Sequence, residues 1–157
     1  MSFADDLLEQ AYDLAHKEPA HPKAASLRRA VSTGYYALFD LLIDEAVSKW
    51  VVERQRSILA RTFEHGRMKI ICDDVLKTAK SGGDVPAELN TVAHSFIQLQ
   101  HHRHTADYDN SKQWSRSDVL KVLMLATNAF AAWRAICTED SAQDFLLQLF
   151  LPKLPRQ

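Results

Sequence analysis

Leu27-Arg28-Arg29-Ala30-Val31-Ser32-Thr33-Gly34-Tyr35-Tyr36-Ala37-Leu38-Phe39 lies inside a longer run, Ala24 to Trp50, that has no proline and a single glycine. Leu27, Val31, Leu38, Leu41 and Leu42 recur at helical spacing and fall on one side. Ala30, Gly34 and Ala37 place small residues beside that stripe, where another helix can approach closely. Arg29, Thr33, Tyr36, Asp40 and Asp44 make a second, polar line. A helix this long and this apolar belongs in the middle of a helical domain. Its polar line then calls for partners, because buried polar groups are costly unless hydrogen-bonded. Arg29 and Asp40 are expected to find them on neighbouring helices.

Helical signals continue on both sides of this segment. Ser2 and Asp5 have the spacing of a capping box, and Asp5 and Asp6 suit a helix N-terminus. Phe3, Leu7, Leu8, Ala11, Leu14 and Ala15 trace one face, and this helix is expected to end near Lys17. Beyond Trp50, Ile58, Leu59 and Phe63 suggest a further helical piece between Val51 and Phe63. A helix from about Gly66 to Ala79 turns Met68, Ile71, Cys72, Val75 and Ala79 inward, and Ser81-Gly82-Gly83 ends it. Pro86 sits near the start of the next helix, which carries Leu89, Val92, Ala93, Phe96, Leu99 and Gln100 on one face. The same spacing reaches Arg103, so this cation projects from the apolar side of its helix. Asp107 to Ser111 reads as a turn. Ser115 or Ser117 can cap a helix with Val119, Val122, Leu123, Ala126, Ala129, Phe130, Trp133 and Ile136. A short helix from Ser141 to Phe150 follows, stopped by Pro152 and Pro155. No alternating strand pattern, repeat or low-complexity tract is present. The fold class read from this is all-α: an antiparallel up-down helical bundle with a short extra C-terminal helix.

The chain of 157 residues suits one domain, 1–157, with a core of about 1–137 and a C-terminal helix and tail at 139–157. Its 46% hydrophobic and 25% charged residues are ordinary for a soluble protein. A formal net charge of -1 means that any contact with RNA or DNA must come from a local patch. Cys72 and Cys137 are isolated and read as reduced thiols of a cytoplasmic protein. There is no signal-peptide pattern, and no stretch reaches the uninterrupted apolar length of a membrane span. No membrane association is expected.

Three motifs together resemble one family. The segment from Ser26 to Phe39 is similar to the LRRAxxxxYYAxF central helix of a small bacterial subgroup of HEPN domains. His65-Gly66 is similar to the HG step that opens the next helix of that subgroup. Arg103-His104-Thr105-Ala106-Asp107-Tyr108-Asp109 is similar to its RxxADYD turn. The three span Ser26 to Asp109, and the helix pattern extends the likeness to about Ile136. The resemblance implies an antiparallel helical bundle, usually a homodimer, concerned with RNA or nucleotides. Many HEPN domains are metal-independent ribonucleases of toxin–antitoxin, CRISPR or phage-defence systems, often beside a small nucleotidyltransferase. Their R-x(4–6)-H motif uses the arginine to hold phosphate and the histidine as acid or base. Arg103 matches that arginine. Counting on from it, the positions where a histidine would stand include Tyr108 and Asn110, so no histidine matches.

Several residue types here suit RNA chemistry nonetheless. Imidazole titrates near neutrality and can take a 2′-hydroxyl proton. The arginine fork pairs with two phosphate oxygens. Arg103, His104 and Tyr108 are therefore the catalytic candidates, although a phenol is a weak base at neutral pH. Arg103, His101, Asp107, Tyr108, Arg29 and Tyr36 are the candidates for ligand binding. Asp107, Asp40 and Tyr36 are the expected partners of Arg103. Consecutive histidines on a helix point about 100° apart and rarely share an ion. No metal and no cofactor are expected. With four glycines in the chain, no phosphate-cradling loop stands out. The function classes that follow are a HEPN-like binding or interaction module without catalysis, a HEPN ribonuclease, and a structural dimer subunit. Expected partners are a second copy, an RNA or nucleotide, and a nucleotidyltransferase antitoxin.

Overall fold

Residues 2–151, described by a computed structural model, form seven α-helices and no strand. They are α1 (Phe3–Ala15), α2 (Ala24–Val47), α3 (Glu53–Ala60), α4 (His65–Lys80), α5 (Ala87–Tyr108), α6 (Arg116–Ile136) and α7 (Asp140–Phe150). Pro152 and Pro155, expected to stop the last helix, lie outside the described residues.

Helix starts follow their side chains. At α1, Ser2 and Asp5 form a reciprocal capping box, and Ser115 with Asp118 builds a second one at α6. Pro86 caps α5 from just outside, where its missing N–H costs nothing. The turn after α4 contains Gly82 at φ +83, a left-handed conformation that glycine adopts without a Cβ clash. Several boundaries differ slightly from the sequence expectation: α2 ends at Val47 and not at Trp50, and α7 begins at Asp140 and not at Ser141. α1 stops at Ala15 with His16 as its cap, and α5 continues to Tyr108, so Asp107 is helical.

The segment Ala24–Val47 is indeed the centre of the molecule. α2 packs against α1, α5 and α6, with smaller contacts to α3 and α7. Leu38, Leu42, Val31 and Tyr35 are fully enclosed. Gly34 is where α6 comes closest, since a Cβ there would stand 2.6 Å from Leu123 Cδ2. Opposite, Phe96 and Leu99 of α5 and Met68 and Cys72 of α4 close the core. α7 folds onto the bundle through Phe145, Leu146 and Leu149, and Phe150 meets Phe63 with ring centroids 4.8 Å apart. α6 combines the length of a membrane span with a mean hydropathy of 1.4 over its most apolar window, which its charged and polar interruptions had masked in the sequence. Its apolar face is spent on α1, α2 and α5.

Arginines tie the helix ends together. Arg116 donates from Nε to the carbonyl of Ala15 at 2.9 Å, and from its two Nη groups to Pro19 and Glu18. Arg28 likewise donates to the carbonyls of Ala106, Asp109 and Lys112 at 2.8, 3.0 and 2.8 Å. These bonds satisfy carbonyls that a helix end leaves orphaned. The cross-bundle role expected of Arg29 is thus filled by its neighbour Arg28, one residue and about 100° round the helix. Arg29 is exposed, and Asp40 is half-buried with no ion pair among the described residues. Burial, then the nearby Asp44 charge, raise the Asp40 carboxyl above its ordinary value. The polar line of α2 is therefore a rim of the core and not a buried seam.

Candidate functional site

Where α2, α4 and α5 meet lies a polar cluster assembled from all three motif segments. α2 contributes Ser32, Tyr35, Tyr36 and Phe39, α4 opens with His65, and α5 supplies Gln100, Arg103 and Asp107. On α2, Ser32, Tyr35, Tyr36 and Phe39 come to one side because three- and four-residue steps return to the same face. Gln100, Arg103 and Asp107 do the same on α5.

Arg103 occupies the centre. Its side chain is 16% exposed, and its nearest ionic partner is Asp107, with Nη1 3.5 Å from a carboxylate oxygen. The guanidinium lies over two rings, 5.1 Å from the Tyr35 centroid and 5.8 Å from that of Tyr36. Its Nε–H is buried and has no hydrogen-bond partner. Asp107 also accepts from the Ser32 hydroxyl at 3.4 Å. Of the three expected partners, Asp107 forms the ion pair, Tyr36 contributes its ring face, and Asp40 makes no ion pair with it.

His65 forms the other wall. Its ring stacks on Phe39 with centroids 4.2 Å apart at 17°, and Tyr36 stands edge-on to it at 5.9 Å. The Tyr35 hydroxyl and His65 Nδ1 are 2.5 Å apart. Gln100 Nε2 donates to the His65 carbonyl at 3.4 Å. Burial, then the positive charge of Arg103, hold the His65 imidazole below its ordinary value. It is therefore a neutral ring at neutral pH. Burial pushes the Tyr35 phenol up, despite an opposing effect from Arg103, so that hydroxyl keeps its proton. Where Tyr35 donates to Nδ1, the ring proton sits on Nε2. Where Nδ1–H donates to the tyrosine oxygen, Nε2 is a free base.

The remaining sequence candidates separate onto other faces. His104 and Tyr108 stack on each other at 4.9 Å, and Tyr108 is 67% exposed. They stand on the solvent side of α5. His101 points to the flank of α5 that faces α6, beside His102. Arg29 is exposed, one helical turn before Ser32. The cluster thus brings together Arg103, Asp107 and Tyr36 and does not include His101, His104 or Tyr108. Sequence reasoning missed His65, Tyr35 and Ser32 as parts of the cluster. The HG step had marked His65, but only the packing of α4 on α5 carries it to Arg103. Among the described residues no three His, Cys, Asp or Glu side chains are grouped to hold a metal ion.

Comparison of the chain with family models, with characterised proteins and with solved structures gives no match.

Proposed function

We propose that this chain is a HEPN-like bacterial binding module, an antiparallel up-down bundle whose Arg103 cluster takes a phosphate group of RNA or of a nucleotide. One observation carries the reading: Arg103 is held in place by aromatic faces and a single long ion pair, with N–H donors still unspent. A guanidinium in that state is oriented for a bidentate anion. The module acts as a homodimer in the cytoplasm, within a toxin–antitoxin or defence system and beside a nucleotidyltransferase. Apolar side chains left exposed, Trp50, Val51, Val52, Ile58, Leu147 and Leu151, support assembly with a second copy. Fluorescence anisotropy with labelled single-stranded RNA tests the binding. The expected result is salt-sensitive affinity that falls at least about tenfold in Arg103→Ala. Equal binding by wild type and variant would overturn the reading.

A second reading, a ribonuclease, is favoured by the position of His65. With Nδ1–H bonded to the Tyr35 oxygen, Nε2 can take the proton of a 2′-hydroxyl. The 2′-oxygen then attacks phosphorus, the 5′-oxygen leaves and is protonated, and a 2′,3′-cyclic phosphate remains. Arg103 would neutralise the phosphate. An RNA-degradation and growth-inhibition assay separates the two readings. Cleavage by wild type but not by His65→Gln, with RNA binding retained in the variant, selects the ribonuclease. Binding without cleavage selects the binding module.

A further inference from the structure

The opposite flank of α5 bears a second cluster unrelated to the first. His101, His102 and Thr105 sit about 100° or more round the helix from Arg103. Together with the loop before α6 and the first turns of α6, they line an open groove of about 530 Å³, within the range of small-molecule sites. Its floor is apolar, from Val122 and Leu125. One wall is the indole of Trp114, half-buried and edge-on to His102, with ring centroids 6.1 Å apart at 75°. Lys112 holds its ammonium 5.1 Å from the centre of that indole, and Lys121 stands at the mouth.

The charges at this cleft are unbalanced. Its one carboxylate, Asp118, accepts from the Ser115 N–H at 3.2 Å in the cap of α6 and lies within the field of both lysines, so that one positive charge remains in excess. Among the described residues neither lysine makes an ion pair. Burial, then His101 and Lys112, hold the His102 imidazole below its ordinary value. His102 therefore offers a neutral ring with hydrogen-bonding nitrogens and not a third positive charge. Lone surface lysines are commonplace, but two of them beside an aromatic wall, an apolar floor and an open groove of ligand size form a defined chemical environment.

We propose that this cleft binds a small aromatic anion, a planar ring bearing a phosphate or a carboxylate. The ring lies against Trp114 and over Val122 and Leu125. It takes the place of the Lys112 ammonium, which swings to the anionic group and joins Lys121 there. Both halves of the ligand are needed: the ring fills the apolar volume, and the anion offsets the lysines. This site stands independently of the Arg103 cluster.

Tryptophan fluorescence reads it directly. A Trp50→Phe background leaves Trp114 and the enclosed Trp133 as emitters. The probes are adenosine monophosphate and naphthoate, with adenosine and inorganic phosphate as the separate halves. The expected result is saturable quenching by at least one full probe, roughly tenfold tighter than by either half. Which probe binds tighter identifies phosphate or carboxylate as the anion. Lys112→Glu and Lys121→Glu, at exposed positions, should each weaken the quenching at least about tenfold with unchanged circular dichroism. Lys121→Glu should also leave RNA binding at Arg103 intact. Absence of saturable quenching by both probes would overturn the proposal. So would inorganic phosphate binding as tightly as the probes, or full affinity in both lysine variants.

Discussion

Arg116 and Arg103 are both arginines partly withdrawn from solvent, and they are used in opposite ways. Arg116 spends Nε and both Nη groups on carbonyls at the end of α1 and in the loop after it. Arg103 has one ion pair at 3.5 Å, two aromatic faces and a buried Nε–H without a partner. The region around Arg116 is a closed joint in which each donor completes the fold. The region around Arg103 is an open one, in which orientation is fixed but hydrogen-bonding capacity remains. A protein that needed Arg103 only for its fold would gain by satisfying that capacity internally, since buried unsatisfied donors are costly. The difference between the two joints supports the proposed phosphate-binding role of Arg103.

The largest effect sets the scale. Leu38→Ala should cost about 2–5 kcal/mol, because Leu38 is wholly enclosed in α2 and its loss leaves a cavity. Urea denaturation would read this as a lower midpoint with an unchanged slope. Arg116→Ala comes next, at about 1–3 kcal/mol, through carbonyls of the α1–α2 connection left without donors. Arg103→Ala should cost less, about 1 kcal/mol, since it removes a long ion pair and contacts with two rings. If Arg103→Ala proved as damaging as Arg116→Ala, the distinction between closed and open joints would fail.

A pH titration gives a smaller and more specific signal. His65 has a lower pKa in the folded protein than its ordinary value, through burial and then Arg103. The unfolded chain therefore binds the proton more readily. The stability that His65 contributes is fully present above the unfolded value of about 6.5 and is lost as pH falls through the folded value. His102 acts with the same sign, through burial, His101 and Lys112. Denaturation midpoints should thus decline below about pH 6.5, and His65→Gln should flatten part of that decline. An identical pH profile in the variant would show that His65 titrates as in the unfolded chain.

Most of the helices were legible in the sequence because the signals are local. Ser2 with Asp5, Pro86, Gly82 and Ser115 mark helix boundaries through bonds within a few residues of themselves. The inward direction of Arg103 was legible for the same reason, since Phe96 and Leu99 fix the face of α5. Its pairing with Asp107 lies one helical turn away. Tyr35 and His65 are a different case. They are thirty residues apart, and only the packing of α4 on α5 makes them neighbours. Residues adjacent in sequence were the other source of error. His101 and His104 flank Arg103 along the chain, yet a helix turns them onto separate faces. Arg28 and Arg29 divide in the same way, the first clamping the end of α5 and the second facing solvent.

The most direct measurement pairs stability with RNA affinity in Arg103→Ala and Arg116→Ala. Both variants would be followed by urea denaturation and by anisotropy with the same single-stranded RNA. Arg103→Ala is expected to keep most of its stability and to lose RNA affinity by about tenfold or more. Arg116→Ala should lose more stability and, at temperatures where it remains folded, bind RNA as wild type does. The contrary result is an Arg103→Ala protein that binds RNA undiminished while unfolding as readily as Arg116→Ala, which would make Arg103 a structural joint like Arg116.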